Sequence, residues 1–180
     1  MKALKKTILV LFGLILVLTI ISLFLSENVH VERSVVINAP SELIFEQVNT
    51  ITNWNKWSPW HLLDSTMEKK YEGPASGKGA KYTWKSTNKN VGSGSMIITS
   101  SDPYSSLKIS LDLGNNSKSS SCFYLLLSSN RVKVIWTLDS KLGNNPIAKY
   151  IGLFFDKIIG KDFEKGLNNL KVLCEKYKTN

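Results

Sequence analysis

A chain of 180 residues, 43% apolar and 21% charged, has room for one domain plus an appendage. It carries 23 Lys and Arg against 14 Asp and Glu, a net charge of +9. Its two cysteines exclude a disulfide-built scaffold, and no CxxC or His-rich spacing gives a basis for a metal or a cofactor.

The first element is apolar throughout. Thr7–Leu25 contains no charged residue. As a helix it would be roughly 28 Å long, close to a ~30 Å hydrocarbon core. Lys2, Lys5 and Lys6 precede it. This pattern predicts a cytoplasmic stub over 1–6, a transmembrane anchor over 7–25 and an extracytoplasmic domain over 26–180, a single-pass protein of the cell membrane. A cleaved signal peptide is the rival reading. Its apolar core is shorter, ~7–15 residues, and ends in a small-x-small site, where this chain has Phe24 and Leu25. Beyond the anchor lie 20 basic and 14 acidic side chains, scattered as on a solvated surface. Attraction to anionic headgroups beside the anchor is the sharper alternative. An extracytoplasmic location argues against nucleic acid as a partner.

Val29–Ile37 alternates as a strand, with Val29, Val31, Val35 and Ile37 on one face together with Arg33. Asn38-Ala39-Pro40 ends it and opens a short helix over 41–49. A second short helix is expected over 52–57, broken by Ser58-Pro59. Six strands follow, near 67–71, 80–85, 91–101, 107–113, 120–128 and 131–138, the last two forming a hairpin around Ser129-Asn130. Gly92 and Gly94 predict a bend or bulge in the third of them. Asn145-Pro146 caps a long terminal helix. In it Ile147, Ile151, Phe154, Ile158, Phe163, Leu167, Leu170, Cys174 and Tyr177 recur at three or four residues. Gly160 is read as a kink and Gly166 as a point of close approach to the sheet.

One antiparallel sheet needs a cover for its apolar face, and only the terminal helix is long enough. The fold class is therefore α+β: a curved antiparallel sheet wrapped around a long C-terminal helix, plus one N-terminal transmembrane helix. The gap between them would be roofed by the short helices, where Trp54, Trp57 and Trp60 crowd into seven residues.

Several motifs resemble those of the START-like superfamily (SRPBCC, Bet v 1-like helix-grip domains). They are Val31-x-Arg33-Ser34-x-x-Ile37-x-Ala39-Pro40 and Phe45-x-x-Val48. Trp54-x-x-Trp57-Ser-Pro-Trp60, Gly79-Ala-x-Tyr82-x-Trp84, Val91-Gly92-x-Gly94-x-Met96 and Gly160-x-Asp162-Phe163-Glu164-x-Gly166-Leu167 are similar to the polyketide cyclase/dehydrase-like branch. The resemblance spans residues 29–177. It implies a deep hydrophobic pocket for lipids, sterols or polyketides, with some members catalysing cyclisation or hydration and many only binding or carrying. An anchor is not part of that pattern.

Ligand-contact candidates follow from the strand faces and the Trp cluster: Trp54, Trp57, Trp60, Tyr82, Trp84, Trp136, Phe154 and Arg33. Each has a plain alternative as core packing, and Arg33 one as half of a structural ion pair. An inward Tyr or Trp must satisfy its polar atom, and a cavity group can do that. Catalytic residues are not indicated: His30 should face outward, His61 should lie at the rim, and no acid falls on an inward strand face. Cys122 and Cys174 read as buried thiols, with a bridge between them the alternative. The expectation is a membrane-anchored binding protein for a hydrophobic small molecule or lipid. The alternatives are a protein-interaction module without ligand and a polyketide cyclase/dehydrase-like enzyme.

Overall fold

The computed structural model describes residues 2–114, 118–129 and 131–178. Helix α1 (Lys2–Ser22) leads through five residues into strand β1 (Asn28–Ile37). Helix α2 (Ser41–Asn49), a 3-10 turn (Ile51–Lys56) and helix α3 (Pro59–Leu63) come next. Strands β2 (Glu68–Glu72), β3 (Lys81–Lys85), β4 (Ser93–Asp102), β5 (Ser106–Asp112), β6 (Lys118–Ser128) and β7 (Arg131–Lys141) follow, then helices α4 (Pro146–Gly152) and α5 (Phe155–Lys178). The strands form one antiparallel sheet in the order β1-β7-β6-β5-β4-β3-β2. This is the α+β helix-grip architecture expected from the alternating strands and the terminal helix.

Inward residues repeat every second position. Val132, Val134, Trp136 and Leu138 of β7 are buried, and the register sets Val134 opposite Val35 and Trp136 opposite Arg33. Pairing between β4 and β5 shifts between Ile98 and Ser100. Such an irregularity bends a strand. The bend is therefore six residues beyond Gly92, not at the glycines. Gly94 has a different task, because a Cβ there would sit 2.8 Å from the Trp84 ring. At the β6–β7 hairpin Ser129 has a positive φ, while Asn130 lies outside the described residues.

Helix α5 crosses the concave face of the sheet and buries Phe163, Leu167, Leu170 and Cys174. A Cβ on Gly166 would lie 2.9 Å from the Trp136 ring and 3.1 Å from Pro59, so this glycine does allow helix and sheet to meet closely. Gly160 is no kink. The helix runs through it, and the break falls at Leu153–Phe154, between α4 and α5. Gly160 is small because the Arg33 guanidinium lies over it.

The expected apolar face of the terminal helix is also corrected over its first part. Ile147, Ile151, Phe154 and Ile158 are 55–70% exposed, whereas Phe155 and Ile159 pack inward together with Phe163, which is buried as expected. Residues 147–163 carry apolar side chains at helical spacing on two faces, so periodicity alone could not say which one the sheet covers. Pro59, read as a breaker, is the first residue of α3, a position that suits its fixed φ and missing N–H. Asn145 caps α4 as expected, its Oδ1 accepting from the N–H groups of Ile147 and Ala148. Cys122 and Cys174 are both free thiols.

Candidate functional site

The sheet and α5 do not close completely on one another. They leave a cavity of about 240 Å³. Volume of this order exceeds the ~150 Å³ that suffices for a benzene-sized guest, and lies just under the ~300–1,000 Å³ common for drug-sized ligands.

Each wall comes from a separate element. On the β3 side, the rings of Tyr82 and Trp84 stack with centroids 5.4 Å apart. From β7, Trp136 stacks on Phe163 of α5 at 3.9 Å. Trp54 and Trp60 lie between these walls from the roof, Trp60 edge-on to Trp136 at 5.9 Å. Phe155 and Ile159 of α5 close one side, and Met96, Ile109 and Leu138 form the floor. Among the described residues, none that lines the cavity is Asp, Glu, Lys or Arg. A charged group placed inside would lose its hydration with no counter-charge to replace it.

Of the eight candidates from the sequence, Trp54, Trp60, Tyr82, Trp84 and Trp136 line the cavity. Trp57 does not: it is fully buried, and its indole N–H donates to the Gln47 carbonyl at 3.1 Å. Phe154 points away from the cavity, and its neighbour Phe155 lines it instead. Arg33 is also outside. Its guanidinium donates to Asp156 at 2.8 Å and Glu164 at 2.7 Å, tying β1 to α5. These two hydrogen bonds and charges raise the Arg33 pKa further, and Arg33 in turn holds the Asp156 carboxyl below its ordinary range. The indole donors are largely committed as well. Trp54 donates to the Val48 carbonyl at 2.9 Å, and Trp136 to Ser121 Oγ at 2.9 Å.

His61 is the polar centre of the site. Expected at the rim, it is only 6% exposed and lines the cavity. Its ring stacks on Tyr82 at 5.2 Å, and neither ring nitrogen has a hydrogen-bond partner. Burial, helped by the Lys69 charge, lowers its pKa from 6.5 to about 4. The ring is therefore neutral at pH 7, with one donor and one acceptor nitrogen. The Ser58 hydroxyl, also buried and lining the cavity, is unpartnered too. Burial pushes the Tyr82 phenol upward, so it stays protonated, and its closest acceptor is the soft Met67 sulfur at 3.7 Å. The sequence signal for His61 was only its position one residue after Trp60.

Local contacts fix α3 and hence His61. Just beyond the helix, Asp64 Oδ1 accepts from the Thr66 N–H and hydroxyl, and Oδ2 accepts from Ser86 after β3. Those bonds lower the Asp64 pKa. On the other side Asn169 of α5 donates to the Trp57 carbonyl at 3.0 Å.

Residues 28–175 match the family model described as polyketide cyclase/dehydrase and lipid transport. The chain belongs to this polyketide cyclase/dehydrase and lipid transport family. Solved structures show the same fold. The Zhui aromatase/cyclase from Streptomyces sp. R1128 has 15% identity and a TM-score of 0.62, over 82% of this chain and 94% of that one. A protein of unknown function from Staphylococcus aureus has 14% identity and a TM-score of 0.62, over 86% of this chain and 99% of its own. The di-domain ARO/CYC protein StfQ of the steffimycin pathway has 8% identity and a TM-score of 0.66, over 85% of this chain and 53% of its own. Among curated proteins, none matches the sequence significantly. Within the polyketide cyclase/dehydrase and lipid transport family, these likenesses establish the fold. The chemistry of this member has to be argued from its own cavity. Among the described residues there is no group of three or more His, Cys, Asp or Glu side chains placed to hold a metal.

Proposed function

We propose that this protein is a membrane-anchored binding protein that holds a hydrophobic small molecule or lipid in its cavity. One observation carries the reading: an apolar, aromatic-walled space whose interior polar atoms include two unpartnered nitrogens on His61. Buried polar groups left unpaired cost roughly 1–3 kcal/mol each, and a guest bearing one neutral polar group would relieve that. Apolar burial at ~25 cal/mol per Å² would supply most of the affinity. The guest is thus apolar and uncharged, with a hydroxyl, carbonyl or amide placed toward His61 and Ser58. Trp54, Trp60, Tyr82, Trp84 and Trp136 are its proposed aromatic contacts.

The anchor is α1. It carries most of the uncharged run Thr7–Leu25, and its span Ala3–Ser22 is long and apolar enough to cross a bilayer, a test that a signal sequence also passes. Retention is favoured by Phe24 and Leu25 where a cleavage site needs small residues. Lys5 and Lys6 before the apolar run support a cytoplasmic N-terminus, with the domain across the membrane.

The test is native mass spectrometry of the full chain released from membranes, with extraction of any bound species. An intact N-terminus and a stoichiometric apolar adduct are expected, and the adduct should weaken in His61→Leu. If the wild-type protein emerges free of any apolar species from every membrane source, the carrier reading fails.

His61 also supports a second reading, a proton-transfer enzyme of the cyclase or dehydrase type. A neutral imidazole can act as a base, and protonated Tyr82 as a donor beside it. No carboxylate in the cavity orients His61, which is why binding is preferred. Turnover of an aromatic polyketide-type substrate that disappears in His61→Gln would favour the enzyme.

A further inference from the structure

The outward apolar face of α4 and the start of α5 needs a cover. Ile147, Ile151, Leu153, Phe154 and Ile158 are all more than half exposed. They are not scattered, because they flank the α4–α5 break. The chain itself shows what lies next to them. Tyr150 of α4 donates its hydroxyl to the Leu18 carbonyl of α1 at 2.8 Å. Lys149, buried on the same helix, faces Glu27 at 3.8 Å. Leu18 lies four residues before the end of α1, roughly 6 Å into the helix. That is the depth at which interfacial helices bury their apolar side, roughly 5–10 Å.

Sheet topology puts the cavity's mouth at the same end. β1 begins opposite the end of β7, as Asn28 pairs with Lys141. Ser140 pairs with Ser119 near the start of β6, and Lys118 with Asp112 at the end of β5. Lys85 at the end of β3 pairs with Ser93 at the start of β4. The turn after β3, the end of β5 and the tether from α1 therefore share one end of the sheet. Asn90 and Leu113, the exposed members of the cavity lining, stand at that end. The tether between Ser22 and Asn28 can extend to at most about 20 Å, so this end cannot stand far from the membrane.

We propose that the mouth of the cavity is seated on the phospholipid bilayer. Ile147, Ile151, Leu153, Phe154 and Ile158 enter the acyl boundary beside α1, and Asn90 and Leu113 open onto the lipid. Lys157 and Lys161, exposed on the same side of α5 as Phe154 and Ile158, then meet the headgroups. The first turns of α5 form a partition: Phe155 and Ile159 face the cavity, Phe154 and Ile158 the lipid. A guest would move between bilayer and cavity without crossing water. This inference rests on α1 spanning the membrane, the reading proposed above.

The experiment uses the full chain carrying Cys122→Ser, in nanodiscs of phosphatidylcholine and phosphatidylglycerol. Cys174 is fully buried and does not label. Single cysteines are introduced as Gly13→Cys, Leu113→Cys, Phe154→Cys and Leu127→Cys, labelled with a polarity-sensitive fluorophore and challenged with nitroxide-bearing lipids. Leu113, Phe154 and Leu127 are exposed in the structure, and a Cβ added at Gly13 would meet nothing within 4 Å, so thermal melts should match the parent. Leu127 is at the far end of the sheet, beside Val132, roughly 25 Å away along the strands. Quenching of the labels at 13, 113 and 154 to less than half, with that at 127 unaffected, is the expected result. Quenching at 13 alone overturns the proposal and leaves the anchor standing. No quenching at 13 removes the anchor and the proposal together. A blue-shifted label at 154 that lipid nitroxides do not quench means that another copy or protein covers the face, and overturns it as well.

Discussion

His61 is the residue on which the site's chemistry turns, and its burial has a consequence in pH. In the folded protein it resists protonation down to about pH 4, whereas its ordinary pKa is 6.5. Between those values the unfolded chain binds the extra proton, so stability falls as pH drops from 6.5 to about 4. At ~1.36 kcal/mol per pKa unit the loss reaches up to ~3 kcal/mol. Asp64 and Asp156, both held low, stabilise the fold above the ordinary carboxylate range and lose that contribution only in more acidic solution. Urea midpoints at pH 7.5 and 5 should therefore diverge in the wild type and nearly coincide in His61→Leu; equal slopes in both proteins would show that His61 is not held neutral. Trp136→Ala should cost ~3–5 kcal/mol, because that ring is buried and stacked on Phe163. Trp84→Ala should cost less, since the ring is only partly buried, and an unchanged melting midpoint would put it outside the wall. The inward direction of Tyr82, Trp84 and Trp136 was legible because strand alternation assigns faces. That of His61 was not: α3 has five residues, too few to display a period.

At the scale of elements, the terminal helix was legible and its break was not. Gly160 looked like the natural point of rupture, yet the helix passes through it. Two glycines on one helix make opposite predictions. In Gly166→Ala the new Cβ meets Pro59 and the Trp136 ring, neither of which can swing away. Overpacking of this kind costs ~1–3 kcal/mol, more than the ~1 kcal/mol gained in helix propensity. In Gly160→Ala the Cβ meets the end of the flexible Arg33 side chain. Displacing it weakens ion pairs to half-exposed Asp156 and Glu164, worth ~0.2–1 kcal/mol each, so the propensity gain roughly offsets the loss. Chemical denaturation should show Gly166→Ala clearly destabilised and Gly160→Ala within ~0.5 kcal/mol of the parent. Similar losses in both would mean that Arg33 is as rigid as the Trp136 ring.

For the whole molecule, the strand sequence and the single long helix specified the architecture, because one sheet face must be covered and only one element could cover it. The incomplete closure was less legible, since alternation tells which side chains point inward but not whether they fill the space between them. That unfilled space sets the size of the guest. A ligand that binds only the folded state stabilises it by ~2.7 kcal/mol at a hundred times its Kd, and in a chain of this length each kcal/mol moves Tm by about 2–4 °C. A graded series of neutral alcohols or amides, offered to the full chain in nanodiscs, should therefore raise Tm as each added methylene is buried, by ~0.8 kcal/mol apiece. The gain should stop once the guest fills about 240 Å³, unless the chain's far end passes out through the mouth. A plateau at that size marks a closed chamber, and a continued rise marks an opening toward lipid. No rise anywhere in the series, with the nanodisc-bound protein otherwise folded, would mean that the space is not a binding site.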